Sequence, residues 1–90
     1  MVDGKFETLL QFPCEFSIKA FGHSSRAFEG RIAALVRRHA PDLAADAVSS
    51  RPSKGGKYLV VTVTVRATSR EQLDAIYREL SACSEVLMAL

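Results

Sequence analysis

The segment Tyr58-Leu-Val-Val-Thr-Val-Thr-Val-Arg-Ala67 limits this chain's folds more than any other. Its β-branched residues are dense, and such side chains suit a pleated strand better than a helix. Leu59, Val61, Val63 and Val65 fall on one face, with Thr62, Thr64 and Arg66 opposite. That period of two marks a strand with one buried side. The rest of the chain must therefore supply strands to pair with it and helices to cover it.

A second alternation runs from Cys14, with Phe16, Ile18 and Ala20 facing one way and Glu15, Ser17 and Lys19 the other; Gly22 is expected to end it. A helix follows, capped by Ser24 or Ser25, with an apolar stripe of Phe28, Ile32, Leu35, Val36 and His39. Arg31, Arg37 and Arg38 sit off that stripe, and Pro41 stops the helix just after His39-Ala40. Residues 44–52 read as a weak edge strand because Pro52 cannot donate to a ladder. Ser53-Lys54-Gly55-Gly56 is turn chemistry. The overlapping patterns Thr68-Ser-Arg-Glu71 and Ser69-Arg-Glu-Gln72 both match a capping box. The helix they open carries Leu73, Ile76, Tyr77 and Leu80 on its apolar face, and Glu85–Leu90 supplies a last short strand.

The order is strand, helix, strand, strand, helix, strand. One striped helix per half and one apolar face per strong strand predict an α+β, two-layer βαββαβ sandwich of ferredoxin-like type. Right-handed crossovers give a four-stranded antiparallel sheet of order 4-1-3-2, with both helices on one face. Residues 13–90 form the single domain. Residues 1–12, whose Leu9-Leu-Gln-Phe12 runs into Pro13, read as a leader laid against it.

Ninety residues with a net charge of +2 and a pI near 8.7 make one ordinary globular domain, too mildly basic to announce nucleic acid. No apolar run reaches the ~20 residues that span a bilayer. The N-terminus lacks the basic-then-apolar pattern of a signal peptide, so the expected location is the cytoplasm. Cys14 and Cys83 suit a reducing compartment. The predicted topology sets them at opposite ends of the sheet, about 20 Å apart and beyond disulfide reach.

Catalytic chemistry finds little support. His23 and His39, at opposite ends of the first helix and about 24 Å apart, cannot share a metal. No metal site and no cofactor are expected. Cys14 lies toward His39 and Cys83 toward His23, but a strand-entry thiol and a helix-terminal histidine explain these residues without a dyad. Glu29, Asp74 and Glu79 read as solvated charges on outward faces. Gly55-Gly56 between lysines is not a phosphate loop, since a strand rather than a helix follows. RNA binding is argued against on the same stretch. Lys54-Gly-Gly-Lys-Tyr58 keeps one ring of the basic-Gly-aromatic motif, and the first strand offers Ser17 and Lys19 rather than a platform.

Leu9-Leu-Gln-Phe-Pro13, Phe16-x-x-Lys19-x-x-Gly22, Val36-x-x-His39-Ala-Pro41, Ser53-Lys-Gly-Gly-Lys-Tyr58, Val63-x-Val65-x-Ala67-Thr68 and Gln72-Leu-x-x-Ile76-Tyr77-x-x-Leu80 stand in one order. In these blocks, from about residue 6 to Leu90, the chain resembles the YbeD-like family of small bacterial proteins. The resemblance implies a ferredoxin-like fold similar to amino-acid-binding regulatory (ACT) domains and carries over no catalytic residues. In ACT domains effectors bind between subunits near the first strand–helix turn. The matching stretch here, Gly22-His23-Ser24-Ser25, lacks their usual Asp-x-x-Gly.

The resulting expectation is a non-enzymatic regulatory or protein-interaction module. Its contact loop is Arg51, Ser53, Lys54, Gly55, Gly56, Lys57 and Tyr58, together with the exposed sheet face. From Ala47 to Arg70 there are five cations and no acid, which suits an anionic partner. The alternative is an ACT-type sensor of an amino acid or carboxylate at Gly22, His23, Ser24 and Ser25. A homodimer through Ser17, Lys19, Val60, Thr62 and Thr64 is also consistent with the pattern. RNA binding and a cryptic thiol enzyme are the remote readings.

Overall fold

The computed structural model describes residues 11–90, so the expected 1–12 leader lies almost entirely outside the described residues. The elements are β1 (Cys14–His23), α1 (Arg26–Arg37), β2 (Val48–Pro52), β3 (Tyr58–Ala67), α2 (Arg70–Ala82) and β4 (Val86–Ala89). The sheet order is β2-β3-β1-β4, which is the expected 4-1-3-2 order. β3 pairs antiparallel with β1 along its whole length, from Cys14 opposite Ala67 to His23 opposite Tyr58. Its other side takes β2, from Val48 opposite Val63 to Pro52 opposite Leu59.

Alternation then does what the pattern requires. Ile18, Ala20, Val61, Val63, Val65 and Ala67 turn to one side, where each is 0–1% exposed. Phe28, Ile32 and Val36 of α1 and Leu73, Ile76 and Leu80 of α2 close over them. Each such burial removes apolar area worth about 1.5–3 kcal/mol, and no polar side chain is buried among the described residues. α2 starts at Ser69, whose hydroxyl accepts from the Gln72 amide at 3.1 Å. Gln72 Oε1 accepts from the Thr68 amide, and its Nε2 donates to the His39 carbonyl at 2.8 Å. The capping residue thus also ties α2 to the end of α1.

Several local expectations change. Gly22 does not end β1, which continues through His23. A Cβ at Gly22 would collide with the Phe28 ring and come within 2.6 Å of the Glu85 carbonyl oxygen, so glycine permits close packing rather than a turn. Ser25 occupies the N-cap position of α1, but its side chain makes no capping bond. The helix ends at Arg37, and the His39 and Ala40 amides donate hydrogen bonds to the Val36 carbonyl. Of residues 44–52 only Val48–Pro52 is strand, because Ala45–Ala47 forms a 3₁₀ turn. Glu79 is no solvated charge: its carboxylate accepts from His39 Nε2 at 2.6 Å and meets Arg38 at 3.3 Å, pinning α2 to α1. Glu29 likewise accepts from the Ser50 hydroxyl at 2.8 Å, fastening α1 to the β2 edge.

Candidate functional site

The hairpin between β2 and β3 is locally determined. The Ser53 amide donates to the Tyr58 carbonyl at 2.8 Å, and the Ser53 hydroxyl accepts from the Tyr58 amide at 3.1 Å. Gly55 and Gly56 adopt φ of 87° and 74°, a region that residues with a Cβ rarely enter. The loop is therefore a fixed platform that projects Lys54 and Lys57.

The Gly22–Ser25 stretch, which the sequence offers as a separate ligand turn, meets this loop directly. The Ser24 amide donates to the Lys57 carbonyl at 3.1 Å. His23 and Tyr58 are cross-strand partners whose ring centroids lie 5.3 Å apart at 35°. Lys57 Nζ sits 5.9 Å from the centroid of the Tyr58 ring, within cation–π reach. Two expected sites are one place.

That place is one end of the open sheet face. Residues alternate along a strand, so Lys19, Phe21 and His23 of β1 share this face with Tyr58, Val60 and Thr62 of β3. Across the sheet, Arg51 lies opposite Val60 and Ser49 opposite Thr62 on β2, while Met88 lies opposite Phe21 on β4. Lys19, Phe21, Arg51 and Val60, with the hydroxyls of Ser49 and Thr62, line a shallow concavity of about 450 Å³. Ser17 and Thr64 lie further along, with their oxygens 3.5 Å apart. Beyond them Glu15 lies opposite Arg66. Charge on this face is thus graded, from the basic ring-bearing end to a balanced one.

The expected contact set of Ser17, Lys19, Val60, Thr62 and Thr64 is on this face. It is joined by Phe21, which the sequence does not single out, and by His23 of the expected ligand turn. Carrying the alternation of Glu15, Ser17 and Lys19 four residues further reaches both.

The ligand turn fares less well as a carboxylate site. A hollow of about 240 Å³ there is lined by His23, Ser25, Phe28, Ser84 and Glu85. Glu85 presents a like charge, itself ion-paired with Arg31 at 2.6 Å. Elsewhere, Cys14 and Cys83 are free thiols at opposite ends of the sheet, Cys14 opposite Ala67 and Cys83 just before the β4 end that pairs with Gly22. The groove at Cys83 is lined by Arg31, Leu35, Arg78 and Glu79 and contains no histidine. His39 Nε2 is taken by Glu79. Among the described residues no three His, Cys, Asp or Glu side chains converge as metal ligands, and no helix is long and apolar enough to cross a membrane.

The chain has relatives in sequence and in fold. A protein described as UPF0250 from Paraburkholderia phytofirmans is 49% identical over 84 residues, covering 93% of this chain and 94% of its own. A UPF0250 protein from Chromobacterium violaceum is 48% identical over 90 residues, covering both chains completely. The solution structure of protein HP0495 from H. pylori superposes with a TM-score of 0.70 at 13% identity, over 90% of this chain and 85% of that one, and so shares the fold. Residues 7–90 match the family described as "Protein of unknown function (DUF493)", and this chain belongs to that bacterial family, to which the sequence resemblance already pointed.

Proposed function

We propose that this protein is a non-enzymatic interaction module that holds an anionic partner on the basic end of its open sheet face. The observation that carries the reading is the junction of two segments. The Ser24–Lys57 backbone bond and the His23–Tyr58 ring pair set the Arg51–Tyr58 loop against the end of β1. Lys19 and Arg51 line the adjoining concavity and Lys57 sits by the Tyr58 ring, with Lys54 exposed in the same loop and no acid on the neighbouring open-face positions of β1, β2 and β3. Such a local excess steers an anion without making the whole surface adhesive. His39, the histidine nearest Cys14 in the expected topology, has its Nε2 engaged by Glu79.

Retention on heparin and on immobilised polyglutamate tests the reading. Lys54→Glu with Lys57→Glu should elute at markedly lower salt than the parent, because each lost phosphate-like contact lowers the salt dependence. Arg37→Glu with Arg78→Glu, an equal charge change on α1 and α2, should elute much closer to the parent. Equal shifts for both variants would reduce the face to net charge alone and end the proposal.

A further inference from the structure

The partner's chemistry can be narrowed further. Resting on the reading above, we infer that the open face binds single-stranded nucleic acid, with bases stacked on His23, Tyr58 and Phe21 and phosphates held by Lys19, Arg51, Lys54 and Lys57. Cations alone would serve any anion, so the rings decide. Tyr58 is 36% exposed, His23 is exposed and Phe21 is half-buried, all on one side of two adjacent central strands. Same-face residues along a strand are spaced by about 6.7 Å, and neighbouring strands by about 4.8 Å. Three rings and the Val60 side chain therefore form a continuous shelf beside the cations. Base faces stack on such a shelf whatever the sequence, and an acidic peptide has no use for it.

The concavity next to the rings fits the same ligand. Phe21 and Val60 give it an apolar floor, Ser49 and Thr62 offer hydroxyls to a base edge or a sugar, and Lys19 and Arg51 stand at its rim positions across the sheet. A duplex is not served, because stacking needs unpaired bases, a four-stranded sheet face is too broad to enter a groove, and both helices lie on the other side. A second copy is the competing occupant: a two-fold axis along the strands would set the Lys19 and Arg51 ends of the two faces against each other, whereas an axis across them would bring each basic end to the Glu15–Arg66 end of its partner.

Fluorescence anisotropy with labelled oligouridylate of about twelve nucleotides tests the inference. Companion probes are a duplex, an abasic strand of the same phosphate count, and polyglutamate. The oligouridylate should bind about tenfold or more tighter than the abasic strand. Tyr58→Ala should weaken the oligouridylate by about tenfold while changing the abasic strand and polyglutamate less than about twofold. His23→Ala should act in the same direction, and circular dichroism should show both variants folded. Equal affinity for the oligouridylate and the abasic strand, or no effect of either ring substitution, overturns the stacking inference while the anionic reading stands. A dimer in sedimentation that Val60→Glu dissociates also overturns it, since a second copy then covers the face. Failure of every polyanion to bind at protein concentrations up to about 100 µM removes both.

Discussion

The two sides of one sheet differ in what constrains them. On the covered side, Ile18, Ala20, Val61, Val63, Val65 and Ala67 meet two helices, and each is fixed by the volume its neighbours leave. On the open side, Lys19, Phe21, His23, Tyr58, Val60 and Thr62 come from the same strands, one residue out of phase, and α1 and α2 do not cover them. Covered residues are explained by packing alone. The open-side rings and cations are not, because neither helix packs against them.

Neighbouring residues on opposite sides allow the comparison to be broken. Ile18→Ala removes a fully buried side chain and should cost about 2–5 kcal/mol, read as a lower urea midpoint at unchanged slope. Its neighbour Lys19→Ala should stay within about 0.5 kcal/mol. Comparable losses at the two positions would mean that the open face is part of the core. Next in size, Gly22→Ala drives a methyl into Phe28 and the Glu85 carbonyl and should cost about 1–3 kcal/mol, whereas His23→Ala should be nearly silent in stability.

How far these contrasts were legible in the sequence follows from where the information is local. Period-two alternation in Tyr58–Ala67 and the Ser69–Gln72 cap are written in consecutive residues, and both elements formed as read. Ala45–Ala47 and the end of β1 were misread because a run of alanines and one glycine are locally ambiguous. Gly22 is there for Phe28 and Glu85, residues that only the fold brings close. The same holds for Glu79, whose partner His39 is 40 positions away. The loop residues Arg51–Tyr58 could be picked from charge and glycines. Their contact with Ser24 depends on register, which the sequence does not print.

Smaller effects sharpen the comparison on the covered side. Ser69→Ala deletes the bond to the Gln72 amide and should cost about 1 kcal/mol in the same urea experiment. Tyr77 packs at the edge of the core, and burial pushes its phenol above the ordinary value near 10. The folded state therefore keeps the proton that the unfolded chain gives up first. Its contribution is complete below pH ~10 and is lost as pH rises through the folded value. Tyr77→Phe should flatten the alkaline limb of stability against pH, and an unchanged limb would assign that loss to another group.

The central claim is that the basic end of the open face, not the helical side, is the binding surface. Backbone amide shift mapping during titration with sodium tripolyphosphate, an anion with neither bases nor peptide groups, tests it most directly. Binding here predicts the largest shifts at Lys19, His23, Arg51, Lys57 and Tyr58, with α1 and α2 nearly still. Shifts centred on Arg31, Arg37 and Arg78 of the helices, with the hairpin unmoved, would contradict the account.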